Sequence, residues 1–197
     1  KLLPLRQPYS ALSAYPGSEN VQTGFFNAFR TIVDWVWIEL RTGTAANTKV
    51  AERTALLTKS GSIIDIDGSN NPVAFTGVPD GEYFVIIRHR NHLGIMSANP
   101  IHLSATTPLY DFTESMNSAY GTVSPLIQVA PDKYAMIAGD SNLDGMVSAF
   151  DRNTEWVNQN GLYGYNSADF QMDGFITALD LNDYWIINNG KTSQIPE

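Results

Sequence analysis

Residues 139–161 read GDSNLDGMVSAFDRNTEWVNQNG, and residues 168–190 read ADFQMDGFITALDLNDYWIINNG. At an offset of 29, Asp140 falls on Asp169, Asp144 on Asp173 and Gly145 on Gly174. Ala149 then falls on Ala178, Asp151 on Asp180, Asn153 on Asn182, Trp156 on Trp185, Asn160 on Asn189 and Gly161 on Gly190. A period of this length marks a duplicated structural unit. Each copy opens with acids at alternate places and a glycine, and closes with an amphipathic run. The runs 151–160 and 180–189 are predicted helices, each ended by Asn-Gly, a C-terminal stop. Trp156 and Trp185 occupy equivalent places and are predicted to pack between the two helices.

The alternation is that of a loop wrapped around a hard cation. In the first copy Asp140, Asn142 and Asp144 stand at loop positions 1, 3 and 5. Gly145 stands at position 6, where a sharp turn needs backbone angles that only glycine adopts cheaply. Met146 at position 7 offers its backbone carbonyl, Ser148 at 9 offers a hydroxyl or a bridging water, and Asp151 closes the loop at 12. The second copy places Asp169, Gln171, Asp173, Gly174, Phe175, Thr177 and Asp180 at the same positions. Calcium takes about six to eight oxygens, and this pattern supplies them from one short loop. Two calcium ions are therefore expected. Three carboxylates in one loop repel one another without metal, so binding is expected to contribute folding energy. Gln171 is the weakest position, which predicts a weaker second site.

Position 12 is Asp in both copies, one helix follows each loop, and the loops come as a pair. In these respects the segment resembles a dockerin domain, a paired relative of the EF-hand. The resemblance implies that the two loop–helix units pack antiparallel and that the helix faces bind a cohesin. Dockerins often carry Ser-Thr or similar pairs at loop positions 10–11. Here those positions are Ala149-Phe150 and Ala178-Leu179. This more apolar pattern predicts that the faces pack on the rest of the chain instead.

Charge divides the 197-residue chain at the same place. Residues 1–138 hold 11 acids and 10 bases, whereas residues 139–197 hold 9 acids and 2 bases. Nearly all of the net charge of −8 sits in the repeat, which excludes nucleic acid as a partner. There is no cysteine, so a disulfide cannot staple the fold, and bound metal is one alternative. No apolar run reaches the roughly 18–20 residues of a membrane span. The chain begins at Lys1, without a visible leader, and the short basic start fits a mature end exposed by cleavage.

Residues 31–138 read as strands: 32–40, 51–59, 62–66, 73–76, 82–90, 101–103 and 134–138. Turn signals at Asp67-Gly68, Asn71-Pro72, Pro79-Asp80-Gly81 and Asn99-Pro100 separate them. Short strands at this density predict a mainly β fold, an immunoglobulin-like β-sandwich, with the small helical calcium module of residues 139–197 appended. The run Phe75-Thr-Gly-Val-Pro-Asp-Gly-Glu-Tyr-Phe-Val-Ile-Ile-Arg88 resembles a hairpin of prealbumin-like and immunoglobulin-like surface domains. The layout is similar to the C-terminal portions of large secreted bacterial surface proteins. That similarity implies an extracellular or cell-surface location.

Residues 1–30 differ. Pro4, Pro8 and Pro16 among leucines predict an extended arm over the first 16 residues, since proline interrupts helices and central strands. A short helix is predicted near residues 21–29. Leu2, Leu3 and Leu5 suit a strand donated to a neighbouring copy. The first expectation for function is therefore a non-enzymatic structural protein that self-assembles through this arm into a pilus-like fibre or surface layer. The alternatives are a docking or adhesion module that anchors a larger secreted protein to a cohesin-like partner, and a carbohydrate-binding domain facing a surface glycan. Trp35, Trp37, Tyr83 and Phe84 are the aromatics a sugar would use. The basic run Arg88-His-Arg-Asn-His92 reads as a solvated strand end. His102 stands alone, and Asp65-Ile-Asp67-Gly68 reads equally as a turn or a third ion site. No catalytic cluster stands out among Glu39, Glu52, Glu82 and Asp111.

Overall fold

The computed structural model describes residues 2–13, 15–69 and 71–197. Its centre is strand β1 (Ile32–Arg41), buried on both faces along nearly all its length. Trp35 and Trp37 point to one side, and Val36 and Ile38 to the other. A strand enclosed on both sides reads as a near-continuous hydrophobic run, which is why IVDWVWIEL stands out in the sequence. β1 pairs antiparallel with β2 (Lys49–Thr58) and with β4 (Gly81–His89). The short β3 (Ile63–Ile64) extends the β2 side, and β5 (His92–Met96) the β4 side. β6 (Ile101–Leu103) pairs with the start of β4. A register shift between Ile32 and Asp34 moves Ile32 onto the Trp35 face.

Both faces of this sheet are covered. Over the Val36–Ile38 face lie Ala119, Leu126, Phe112, Met116 and Tyr134. Tyr134 belongs to β8 (Lys133–Ala135), which forms a two-stranded sheet with β7 (Ile127–Ala130). The result is the mainly β, sandwich-like fold expected. The predicted strand at 73–76 is coil, though Val73 and Phe75 still pack on the core. β5 and β7 were hidden by Gly94 and by the exposed Gln128–Ala130 stretch.

The N-terminal segment covers the other face. Tyr9, Tyr15, Val21 and Phe26 are buried with Ile32, Trp35, Leu56 and Ile64. Trp35 Nε1 donates to the Pro4 carbonyl at 3.0 Å, and Tyr9 OH donates to the Trp35 carbonyl at 2.8 Å. The arm pairs with its own continuation: Val21 N–H donates to Leu5 O at 2.7 Å and Gln7 N–H to Glu19 O at 3.1 Å. Lys1 lies outside the described residues. Of Leu2, Leu3 and Leu5, expected to serve as a donated strand, each here belongs to a segment seated on its own chain. Leu3 packs on its own chain's core, while Leu2 and Leu5 remain 39% and 40% exposed. A covalently tethered segment competes with any second copy at high effective concentration.

The prolines do not exclude helix either. α1 (Tyr9–Leu12) starts just after Pro8, and its first turn closes through the Pro8 carbonyl. α2 (Phe25–Ala28) matches the short helix expected near residues 21–29. Trp35 is fully buried and Tyr83 nearly so, which removes both from a sugar-stacking surface.

Candidate metal centre and its docking to the sheet

The two repeats fold alike. Asp140 Oδ1 accepts from Asp144 N–H at 3.1 Å and its Oδ2 from Gly145 N–H at 3.1 Å. Asp169 repeats this with Asp173 N–H at 3.1 Å and Gly174 N–H at 3.0 Å. Asp144 Oδ1 accepts from Met146 N–H at 2.9 Å, and Asp173 Oδ1 from Phe175 N–H at 2.8 Å. Asn142 and Gln171 each donate to the acid two residues on, at 2.8 and 2.7 Å. Asp151 accepts from Ser141 N–H and Ser148 N–H, both at 2.8 Å. Asp180 accepts from Phe170 N–H at 2.9 Å and Thr177 N–H at 2.8 Å. The position-9 hydroxyls of Ser148 and Thr177 accept from Phe150 and Leu179 N–H, starting the helices.

Gly145 and Gly174 take the left-handed conformation, at φ 82° and 89°. Leu143 and Met172, at loop position 4, both take φ 61°. This strained non-glycine angle was not foreseen from sequence, because neither residue type advertises it. Its recurrence at the same place indicates that the loop imposes it.

The donor set is one carboxamide, one hydroxyl, one backbone carbonyl and three carboxylates per loop, which fits a hard divalent cation. The charge is crowded. Burial, then the Asp151 carboxylate, push the Asp140 carboxyl up to about 7, with Asp144 adding to the effect and the Gly145 amide opposing it. Burial likewise raises Asp169, and there a guanidinium, that of Arg90, works against it. Among the described residues, no three His, Cys, Asp or Glu side chains close around one point; the loop carboxylates lean on loop amides instead.

Each loop is followed by a helix. α3 is π-wound over Asp151–Trp156 and α-wound over Val157–Gln159; α4 is π-wound over Asp180–Trp185 and α-wound over Ile186–Asn188. Gly161 and Gly190 end them at φ 86° and 91°. The units exchange contacts across a local two-fold. Trp156 Nε1 donates to Thr177 O, and Trp185 Nε1 to Ser148 O, both at 3.0 Å. Val147 pairs through its backbone with Gly190 and Lys191, as Ile176 does with Gly161 and Leu162. Each tryptophan thus braces the other repeat's loop, beyond the helix packing expected of it.

Phe150 and Val157 on α3 are 52% and 51% exposed, and their counterparts Leu179 and Ile186 on α4 are 52% and 53% exposed. The expectation that positions 10–11 pack on the sheet domain is therefore corrected. Each helix thus turns a second apolar patch to solvent, opposite the side on which Trp156, or Leu181, Tyr184 and Trp185, pack inward.

The module meets the sheet domain through the run Arg88-His-Arg-Asn-His92, which sequence reasoning placed in solvent. His89, Arg90 and Asn91 are buried. His89 ends β4, Arg90 and Asn91 form the tight connection to β5, and the acids that neutralise the run are remote in sequence. Arg90 Nε donates to Asp34 Oδ2 at 2.9 Å, and its guanidinium stacks on Tyr165, 4.3 Å from the ring centre. Tyr165 OH donates to Asp34 Oδ1 at 2.6 Å. His89 Nε2 lies 3.2 Å from Asp34 Oδ2 but out of line for a hydrogen bond. Burial raises the Asp34 carboxyl, yet Arg90, His89 and Tyr165 outweigh it and hold the group well below the usual carboxylate range. Beyond the sheet, Asn91 Nδ2 donates to Asp169 O at 2.6 Å, Arg90 Nη1 donates to Asn166 O, and Asn188 Nδ2 donates to Ala138 O at 2.9 Å. A cleft of about 340 Å³ opens beside this contact, lined by Leu2, Leu3, Arg30, Tyr163 and Met172 among others.

The remaining sequence candidates have local partners. Asp65 pairs with Arg53 at 2.6 Å, and Asp67 accepts from Ser69 at 2.8 Å, as a turn would. His102 lies 2.9 Å from Glu82 on the surface, and Glu39 is buried against Arg41.

No protein-family model matches the chain, and no curated protein matches it. Among solved structures, one match is to an N-terminal interface mutant of a type II cohesin–X-dockerin complex from Acetivibrio cellulolyticus. It has 18% identity, covers 89% of this chain and 92% of that chain, and has a TM-score of 0.43. A C-terminal interface mutant of the same kind of complex matches at 17% identity over 79% of this chain and 82% of that chain, with a TM-score of 0.42. A likeness at that level carries no argument about what this chain does.

Proposed function

We propose that this chain is a non-catalytic, extracellular docking module of the dockerin kind. It is stiffened by two calcium ions and rests on a β-sandwich domain. Asp140, Asn142, Asp144, Met146, Ser148 and Asp151 would hold one ion. Asp169, Gln171, Asp173, Phe175, Thr177 and Asp180 would hold the other. Each ion would remove the repulsion among three acids of its loop and fix the adjoining helix. The observation that carries the docking reading is the duplicated exposed face, Phe150 with Val157 and Leu179 with Ile186. Large side chains left in solvent at equivalent places of both repeats are what a protein partner would cover. The partner proposed is a cohesin-like β-sandwich. Among the described residues, no helix is long and apolar enough to cross a membrane.

Immobilised cohesin domains, probed with this chain in calcium and in chelator, test the reading. Capture in calcium, its loss in chelator, and its loss in a Phe150→Asp, Leu179→Asp variant that still binds calcium are expected. Polymers of the free chain, or retention by glycans but not by cohesins, would argue for the other readings.

A further inference from the structure

We propose that Arg90 makes the two loops unequal: it keeps the second loop ordered without metal and weakens that loop's hold on calcium. The inference rests on the calcium reading of the loops. Inside the loops the hydrogen bonds are nearly the same; their surroundings are not. Arg90 Nη2 stands 3.8 Å from Asp169 Oδ2, the first ligand position of the second loop. The same side chain holds Asn166 O, three residues before that position, and its neighbour Asn91 holds the carbonyl of Asp169 itself at 2.6 Å. The guanidinium is 3% exposed and anchored from behind by Asp34 at 2.9 Å. It therefore has little freedom to retreat when another cation arrives.

The first loop has no such neighbour. Among the described residues no ion pair reaches Asp140, Asp144 or Asp151, and the loop is tied to its surroundings by neutral contacts. Examples are Ser193 N–H to Gly145 O at 2.8 Å and Gly139 N–H to Asn91 O at 3.0 Å. A fixed positive charge beside a ligand carboxylate, largely out of water, opposes a divalent ion entering the same loop. The same charge and its hydrogen bonds do part of the metal's ordering work in advance. The first loop would then be the one whose order depends on calcium. The second would remain docked to the sheet through Arg90 when calcium is scarce. Gln171 also differs from Asn142, so comparing the two loops does not isolate Arg90, and the test must act on the arginine.

The full-length chain is used throughout. In chelator, amide exchange on the unmodified chain should find Phe170 and Gly174 protected and their counterparts Ser141 and Gly145 exchanging at least about tenfold faster. Equal exchange in the two loops would overturn the proposal. Calcium affinity of the second loop is then read by calorimetry with the first loop disabled by Asp144→Ala. The pair Arg90→Gln, Asp34→Asn leaves no lone buried charge and should tighten that site by about tenfold while abolishing its protection in chelator. Arg90→Lys should keep the site weak. A second site that is unchanged or weaker in the neutral pair would overturn Arg90's role while leaving the calcium reading intact. An unmodified chain that takes up no calcium in either loop would overturn both.

Discussion

At the scale of single residues, each acidic loop turns on the glycine at its sixth position, Gly145 or Gly174. Asp, Asn or Gln, and Asp at alternate places before a glycine leave few other readings. The αL angles of Gly145 and Gly174 bear out the glycine requirement. Replacing either by alanine should cost about 1–2 kcal/mol for the αL strain alone. The two should cost nearly the same: a new Cβ at Gly174 would lie 2.6 Å from Leu2 Cδ1, but that is the free end of a 39% exposed side chain that can turn away, and at Gly145 nothing comes closer than 3.7 Å. Chemical denaturation of both variants in calcium checks the size and the near equality of the two losses. The residues that were not legible are Asp34, Arg90 and Asn91. Their partners are dozens of positions away, so a basic run that looked solvated is buried. That burial has a pH consequence. Burial, then His89 and Arg90, hold His92 well below 6.5, so the unfolded chain binds a proton that the folded chain refuses. The contribution of His92 to stability is complete above about pH 6.5 and is lost as the pH falls below it; Asp34 adds a further loss below 3.8. Melting temperature from pH 7.5 to 5 in saturating calcium should fall, and a His92→Gln variant should fall less steeply. Saturating calcium matters because Asp140, raised to about 7, would otherwise respond in the opposite sense.

At the scale of elements, the helices and the long strands followed from their patterns. β1, β2 and β4 lie within one or two residues of the runs read from the sequence. The element that pattern could not assign is the N-terminal segment, where the prolines looked like interruptions and Pro8 instead starts a helix turn. The crossed tryptophan contacts were also out of reach, because sequence gives equivalence of Trp156 and Trp185 but not which loop each one touches. They lead to a crossed prediction. Trp156→Phe removes a donor to Thr177 O and should loosen the second loop, while Trp185→Phe removes a donor to Ser148 O and should loosen the first. Each should cost about 1 kcal/mol from the lost hydrogen bond, with a further amount from lost packing. Amide exchange resolved by loop reads the assignment, and faster exchange in a tryptophan's own repeat would contradict it.

At the scale of the whole molecule, the sheet domain and the acidic repeat are joined by buried polar contacts and a shared core. Leu93 of β5 and Ile137 pack with Val147, Phe170, Ile176 and Trp185 of the repeat. The composition step near residue 139 marks a change of architecture that continues into one packed unit. The arm belongs to that unit. Tyr9 is fully buried on the sheet, so Tyr9→Ala should cost about 3–5 kcal/mol and lower the melting temperature by roughly 10 °C. A donor-strand role would leave the free monomer's stability unaffected by the same change. The claim beneath all of this is that the duplicated acidic loops are built around metal. Calorimetric titration of calcium into the chelator-treated chain, paired with its melting temperature, is the direct measurement. Uptake of two ions and a marked rise in melting temperature are expected; no heat of binding and an unmoved melting temperature would show that the loops are not metal sites.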